Sequence, residues 1–324
     1  MNLLKTDKKN KNIILKLIFI LSLIVFVFSA AILVNKLIAI PYKNSKLNKE
    51  IKNIYYSNPD EEIKENKNLW YENLQRIREI NPDIIGWINI KNTIIDYPVL
   101  QPPEGKPAYY LRKTYKKEYL LHGSIFVDAK SNIYKNPKNT IIHGHRMNDG
   151  SMFKKLLDYT NDLDFYKSAP TINFDTEKDG KEVYKIFSAF RTNTLPEHGK
   201  IFEYIKSDFK DDSEFLNFIH QSRIRSFIHM PVDIDENDKI ITLSTCSYEM
   251  KHFRTVVMAR KVRPGESLEV DVDAALKNKC PVLPEAYYPI YNTPVPTIYT
   301  FEDSLKDQKI FWYKKNEPKK PAKK

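Results

Sequence analysis

The amino-acid sequence predicts a mainly β protein in which eight strands form a β-barrel with peripheral helices, preceded by one transmembrane helix. Three observations support this fold class. Eight short apolar runs are separated by turn residues, one capped amphipathic stretch lies between the sixth and seventh runs, and an uninterrupted apolar run lies near the N-terminus. With 42% hydrophobic and 12% aromatic residues, the 324-residue chain can fill a core of that size.

The apolar run near the N-terminus has the length of a membrane span. Residues 17–34 contain no charged side chain, and Ser22 and Ser29 are their only polar ones. A helix of about 20 apolar residues crosses a hydrocarbon core. A cleaved signal peptide is the alternative, but its apolar part is typically about 7–15 residues long. We therefore expect residues 1–16 to be a basic cytoplasmic N-terminus and residues 17–34 an uncleaved signal anchor.

Lysines on both sides of this run leave its orientation open. Five lie within residues 1–16 and five within residues 35–52. The difference in loop charge that usually sets orientation is therefore missing. An outward-facing C-terminal part, attached to the plasma membrane by a single pass, is expected from the function argued below.

The net charge of +11 is spread along the chain. Residues 69–263 carry 30 Lys and Arg against 26 Asp and Glu, which places +4 on them and +7 outside. A nucleic-acid-binding surface needs a clustered basic stripe. We therefore expect no nucleic-acid partner, and the charge suits a solvated surface, a membrane-proximal stalk and attraction to an anionic cell envelope.

A polar segment and a helix follow the apolar run. Residues 35–68 are rich in Lys, Asn and Glu, which predicts a polar stalk. From Leu69, apolar residues recur at helical spacing, and Asn81 followed by Pro82 stops the pattern. The spacing predicts an N-terminal helix of the main domain, residues 69–263.

The strands are predicted from short apolar runs with turn residues between them, and eight strands of this length suggest a closed β-barrel or a sandwich. They comprise residues 84–90, 93–98, 123–127, 140–143, 171–174, 182–191, 239–244 and 255–261. Residues 212–219 begin with capping residues and continue as an amphipathic stretch, so they predict a helix in the connection between the sixth and seventh strands.

Composition changes again after residue 263. Residues 264–324 contain repeated prolines and a lysine-rich end, which argues against a continued sheet. We expect a Pro/Lys-rich C-terminal extension that packs partly through Tyr287, Tyr288 and Tyr291 and is disordered towards its end.

The residues that suggest chemistry are a cysteine, a histidine and an arginine. Cys246 ends an apolar strand, His145 follows another strand at a glycine-containing loop, and Arg254 begins the last strand after a hairpin that returns to the thiol. A catalytic thiol needs a nearby base or positive charge, and an arginine can stabilise an oxyanion. The alternatives are a structural histidine, a solvated arginine, and a single disulfide between Cys246 and Cys280.

A metal site receives less support from the same region. His143 and His145 are two residues apart and share one face of a strand, a spacing that can bind a metal. The sequence offers neither a second histidine pair nor a metalloprotease helix motif. We therefore predict no metal and no cofactor.

At these residues the chain resembles the class B sortases, membrane-anchored cysteine transpeptidases of Gram-positive bacteria. The resemblance covers about residues 69–263. It is carried by "DIIGWINI", "IDYPVLQ", "GSIFVD", "NTIIHGHRMNDGSMF" and "KIITLSTC", in that order, and by the helix before the seventh strand. Several motifs in the same order are far more specific than any one of them.

The resemblance implies an eight-stranded sortase-type β-barrel and a role for each of the three residues. Cys246 would be the nucleophile, His145 the general acid or base, and Arg254 the group that stabilises substrate and oxyanion. The substrate would be the C-terminal sorting motif of a secreted surface protein. A thioacyl enzyme would form and then pass to an amine, usually from a peptidoglycan precursor.

Three features depart from the family pattern. The segment after Gln101, "PPEGKPAYYL", is about two residues longer than usual and lacks the family's Asp-Asn pair. His143 stands where the family often has an aromatic residue. The extension from Pro264 is longer than a class B enzyme needs, so it is a candidate for regulating access or contacting partners.

The predicted function is a membrane-anchored cysteine transpeptidase that attaches surface proteins to the cell wall. An alternative is a pilus-assembling sortase, which uses a pilin lysine as the acceptor. Two others are a cysteine peptidase that hydrolyses its thioacyl intermediate and a non-enzymatic wall-binding module. The expected partners are sorting-motif proteins, an amine acceptor and the lipid bilayer.

Overall fold

The computed structural model describes residues 3–57, 69–307 and 310–313, which fall into two compact units. The first unit, Met1–Glu50, is helical over its described residues. It contains α1 (Leu3–Val34), a π-helical segment (Asn35–Ala39) and most of α2 (Ile40–Tyr55).

One helix of the described residues has the length and composition of a membrane span. It runs over Ile13–Tyr55, and its most apolar 18-residue window has a mean hydropathy of 3.1 with no side chain buried. A signal sequence has the same properties. The predicted stalk, residues 35–68, is helical as far as Tyr55, and residues 58–68 lie outside the described part of the chain.

The second unit, Ile51–Lys324, contains the end of α2, then α3 (Leu69–Ile80) and the barrel. Helix α3 was predicted at this place, and Leu74 and Ile77 are its fully buried apolar residues. It ends at Asn81, whose side-chain amide donates to the Tyr110 hydroxyl at 2.9 Å and to the Tyr115 carbonyl at 2.8 Å. These bonds fix the turn into the first strand.

The predicted eight-stranded barrel is confirmed. Its strands, with two short additional ones, are β1 (Ile84–Asn89), β2 (Asp96–Leu100), β3 (Ile125–Val127), β4 (Asn139–His143), β5 (Thr171–Thr176), β6 (Val183–Asn193), β7 (Ile228–His229), β8 (Ile240–Ser247), β9 (Phe253–Lys261) and β10 (Leu276–Lys277). The closed barrel has the order β1, β2, β3, β4, β8, β9, β6 and β5, and β5 pairs back to β1. The pair β7 and β10 forms a separate two-stranded sheet, which the sequence did not predict.

Two of the barrel pairings are parallel, and one of them positions the site. β4 runs parallel to β8, and α4 (Leu163–Ser168), β5, β6 and α5 (Asp212–Arg225) all lie in the chain between them. Because parallel neighbours end at the same edge of a sheet, the residues that follow β4 meet the last residues of β8. The helix predicted before the seventh barrel strand is α5, and it is capped by Asp211, which accepts from the Glu214 amide at 2.8 Å.

Apolar side chains fill two clusters, one inside the barrel and one outside it. The inner cluster includes Leu243 and Val257, which alternate with residues of the opposite face along β8 and β9. The outer cluster joins β6, β8 and β9 to α5, and it includes Phe301 and Trp312 from the C-terminal extension. The extension is therefore part of the packed structure.

In space, the C-terminal extension lies along α5 and the loops beside it. It contributes β10, α6 (Tyr287–Ile290) and α7 (Phe301–Lys306). Of the three tyrosines expected to pack, Tyr287 and Tyr288 are buried and Tyr291 is exposed. Residues 308–309 and 314–324 of the extension lie outside the described residues.

Candidate active site

The hairpin of β8 and β9 brings the cysteine and the arginine together. Cys246 and Arg254 are direct partners in its antiparallel register. The loop that joins the strands ends at His252, which has a φ of 62° in the left-handed region. The backbone therefore brings Arg254 back beside Cys246, as the sequence predicted.

The histidine reaches the same place through the parallel pairing. His143, the last residue of β4, is the register partner of Ser244 on β8. The Gly144 amide continues the ladder by donating to the Ser244 carbonyl at 3.2 Å. A Cβ at Gly144 would lie 2.5 Å from an Ile125 methyl carbon, so only glycine fits between the two histidines.

These elements surround a cleft of about 420 Å³. Cys246, His145 and Arg254 all line it, so the three residues selected from the sequence lie in one site. His143 lines it too. The other lining residues are Pro107, Ala108, Leu111, Phe126, Asp128, Gly144, Thr194, Tyr204, Ile205, Ser244 and Thr245.

Several of these lining residues were not selected from the sequence. Leu111 belongs to the proline-containing segment after Gln101, and Tyr204 and Ile205 belong to the connection between β6 and α5. None of the lining residues falls between Ser207 and Asp238. Asp128 had a detectable signal, because it is a carboxylate directly after an apolar strand.

His145 is held in one tautomer by the backbone. Its Nε2–H donates to the Leu111 carbonyl at 2.8 Å, which leaves Nδ1 as the nitrogen for proton transfer. Burial lowers the pKa of His145, the Leu111 bond raises it in part, and the charge of Arg112 lowers it further. His145 is therefore neutral near pH 7 and can accept a proton from a thiol.

Most N–H donors of the Arg254 guanidinium have no partner among the described residues. Its Nη1 donates to its neighbour's carbonyl, Phe253 O, at 3.1 Å, and no salt bridge involves it within the described ranges. An arginine presents five N–H donors in a fixed fork. Most of them are thus available to a substrate carbonyl or an oxyanion in the cleft.

The strand residues before Cys246 differ in their hydrogen bonds. The Ser244 hydroxyl pairs with the Tyr204 hydroxyl at 2.9 Å, which ties β8 to the wall of the cleft. The Thr245 hydroxyl is buried and has no partner among the described residues. Of the two side chains, Ser244 is therefore the one that shapes the site through a hydrogen bond.

A histidine and an aspartate form a second polar pair in the cleft. His143 Nε2 lies 2.8 Å from Asp128 Oδ2, and the Lys130 amide donates to Asp128 Oδ1 at 2.9 Å. Burial opposes ionisation of Asp128, but the hydrogen bonds from His143 and Lys130 prevail and lower its pKa. Asp128 is therefore ionised near neutral pH.

Neither a disulfide nor a metal cluster forms in the described parts of the chain. Cys246 and Cys280 are both free, and Cys280 is exposed. No group of three His, Cys, Asp or Glu side chains is placed to hold a metal there. His143 instead uses its Nε2 for Asp128.

Comparison with known proteins agrees with this arrangement. A family model described as the sortase domain matches residues 88–262. Sortase B of Staphylococcus aureus (strain NCTC 8325 / PS 47) is 35% identical over 192 residues, which are 58% of this chain and 74% of that protein. Sortase B of Listeria monocytogenes is 37% identical over 178 residues, 55% of this chain and 68% of that one.

The fold matches as well. A solved Staphylococcus aureus sortase B-substrate complex superposes with a TM-score of 0.59 and 30% identity, covering 69% of this chain and 98% of the other. The barrel and the thiol-containing cleft thus define a cysteine transpeptidase. The chain belongs to the sortase family, and the relatives just described are sortases B.

Proposed function

We propose that this sortase is anchored to the plasma membrane by residues 17–34 and attaches surface proteins to the cell wall. The main support is the cleft in which Cys246, His145 and Arg254 lie together. In this proposal, residues 1–16 are cytoplasmic, residues 35–68 form the stalk, and residues 69–263 form the extracellular catalytic domain. Residues 264–324 are a C-terminal extension.

The first half-reaction forms a thioacyl enzyme. His145 Nδ1 takes the thiol proton as Cys246 Sγ attacks a backbone carbonyl of the sorting motif. Arg254 donates to the oxyanion of the tetrahedral intermediate. The C–N bond then breaks, and the His145 imidazolium gives its proton to the leaving amine, so that His145 is neutral again.

The second half-reaction transfers the acyl group. A thioester stays activated towards amines, so the amide bond forms without a nucleotide. The acceptor amine attacks the carbonyl, the C–S bond breaks, and His145 relays a proton to the Cys246 sulfur. The proposed acceptor is an amine of a peptidoglycan precursor. The Staphylococcus aureus relative was solved as a sortase B-substrate complex, which supports a substrate-binding role for this protein.

Mass spectrometry tests this proposal directly. The detergent-solubilised full chain is incubated with a library of sorting-motif peptides, with and without an amine acceptor. Cys246→Ala is the first variant, and Cys280→Ala is its matched control because Cys280 is exposed and lies outside the cleft. We expect an acyl adduct on Cys246 that passes to the amine, lost in Cys246→Ala and kept in Cys280→Ala.

The other results separate the alternatives. Peptide cleavage that ignores the amine indicates a hydrolytic peptidase. Complete absence of a Cys246-dependent adduct with every peptide indicates a wall-binding module. Exclusive transfer to the side chain of a pilin lysine indicates pilus assembly.

A further inference from the structure

We propose that His143 and Asp128 form a second base in the cleft, which takes the first proton from a protonated primary amine before that amine attacks the thioester. The His143/Asp128 pair thereby selects an alkylammonium as the acceptor. The inference rests on the proposed transpeptidation and assigns its second half-reaction a residue of its own.

The placement of the pair supports this role. His143 faces the same side of β4 as its register partner Ser244 faces on β8, and Cys246 lies two residues further along that side. Residues two apart on a strand are separated by about 7 Å. Both His143 and Asp128 line the cleft, and their side chains are 22% and 20% exposed to solvent. An acceptor at the thioester can therefore reach them.

The pair is also rigidly held in the correct tautomer. Asp128 is fixed through both oxygens, one by His143 and one by the Lys130 amide. With Nε2–H donated to Asp128, neutral His143 presents Nδ1 as a base. No side chain or amide among the described residues bonds to this Nδ1. The ring lies against Phe126, with 5.5 Å between centroids.

A count of protons shows why a second base is needed. An alkylammonium such as lysine, with a pKa of about 10.4, carries three protons on nitrogen at neutral pH. One must leave before attack and one after it, for the amide to form. His145 is neutral after acylation and accepts only one proton, which it passes to the Cys246 sulfur. The other proton goes to His143 Nδ1 and then to water.

The charges around the cleft agree with this assignment. Its titratable lining groups are Asp128, His143, His145, Tyr204, Cys246 and Arg254. Asp128 is the one carboxylate among these described lining groups, and it offsets the charge of an incoming cation at the cleft wall. It also stabilises the imidazolium that forms on His143.

The test compares two acceptors with the full-length protein and a donor peptide from the library. Nα-Acetyllysine amide is protonated at neutral pH, whereas hydroxylamine is already a free base. We expect His143→Gln to lower kcat/KM for the lysine amide about 100-fold and to leave that for hydroxylamine unchanged. Gln keeps a donor for Asp128 but accepts no proton. The lysine defect should shrink as the pH rises towards the pKa of the amine.

Two further variants keep the test decisive. Asp128→Asn should lower lysine transfer about 10-fold, since it removes the charge behind the base. His229→Gln is the matched control, because His229 lies on β7 outside the cleft, and it should transfer to both acceptors as before. If His143→Gln is unstable by thermal melting, His143→Phe preserves the ring contact with Phe126.

Each contrary result has a clear meaning. An equal loss with both acceptors would show a structural role and overturn the inference, as would full lysine transfer by His143→Gln. Failure of the unaltered protein to transfer even to hydroxylamine would instead overturn the proposed transpeptidation, and the inference with it.

Discussion

At the residue scale, the two histidines that flank Gly144 are held in different ways. His145 donates to a carbonyl, Leu111 O, and its pKa is lowered chiefly by burial. His143 donates to a carboxylate, Asp128, that is itself ionised. Two imidazoles in one cleft can thus have separate roles, since one is bound to a backbone carbonyl and the other to a carboxylate.

The lowered pKa of His145 predicts the pH dependence of acylation. Because neutral His145 must accept the thiol proton, the acidic limb of kcat/KM for donor cleavage should lie below pH 6.5, the ordinary pKa of histidine. Arg112→Gln removes a nearby positive charge, so it should raise the pKa of His145 and move this limb to higher pH. Donor cleavage is measured between about pH 5 and pH 8.

Lys113→Gln serves as the control for that charge change. Lys113 is next to Arg112 but points at the Tyr109 ring, with its nitrogen 4.1 Å from the centroid. The Lys113→Gln variant should therefore displace the acidic limb less than Arg112→Gln does. An acidic limb at or above pH 6.5 in the unaltered protein would contradict the assignment of His145 as the neutral base.

At the element scale, the hairpin of β8 and β9 contains buried hydroxyls with different surroundings. The Thr242 hydroxyl donates to the Asn139 side chain at 2.8 Å. Thr245 and Thr255 are register partners, and neither hydroxyl has a partner among the described residues. An unpaired buried hydroxyl lowers stability, whereas a paired one adds to it. The end of the hairpin next to the cleft is thus less stable than its middle.

Thr255→Val tests this difference. Valine has the shape of threonine without the unpaired hydroxyl, so the free energy of unfolding should rise by about 1 kcal/mol. Thr242→Val is the same change on the neighbouring strand, where the hydroxyl is paired, and it should lower stability by about 1 kcal/mol. Chemical denaturation measures both. Destabilisation by Thr255→Val would mean that its hydroxyl is in fact satisfied.

Periodicity and turn residues were sufficient to predict the elements of the barrel. All eight barrel strands, α3 and α5 lie where the sequence placed them, because each buries a face that its own residues encode. The pair β7 and β10 was missed, since two residues are too short for any period. Their pairing depends on contacts between distant segments.

The site was predictable to the same extent. Cys246, His145 and Arg254 were selected from their positions at strand ends, and the barrel brings them to one cleft. The Leu111 carbonyl was not predicted as the partner of His145, because a backbone acceptor has no side-chain signature. The bond between His143 and Asp128 was also missed, since it depends on the pairing of β3 with β4.

At the scale of the whole molecule, the C-terminal extension completes the packing of α5. Phe301 and Trp312 are buried in the outer cluster, with 5.8 Å between their rings. The Arg223 guanidinium of α5 lies over the Trp312 ring, 5.0 Å from its centroid. One side of α5 thus packs against the outer face of the barrel, and the extension covers the other side.

Trp312→Ala is expected to destabilise the protein by about 3 kcal/mol, because Trp312 is only 4% exposed. Phe311→Ala is the matched control, since its side chain is 63% exposed, and its effect should stay within about 0.5 kcal/mol. Chemical denaturation of the full chain measures both changes. Equal effects of the two variants would show that the extension does not pack on α5.

The parallel pairing of β4 with β8 has a consequence for how the site forms in time. Cys246 and Arg254 are close in the chain, so a local hairpin unites them early. His145 is about a hundred residues upstream. It reaches the site only when β4 pairs with β8, after β5, β6 and α5 have formed. Contacts of such long range form slowly. A chain that is still folding thus exposes a thiol without its base, and chemistry begins only once the barrel has closed.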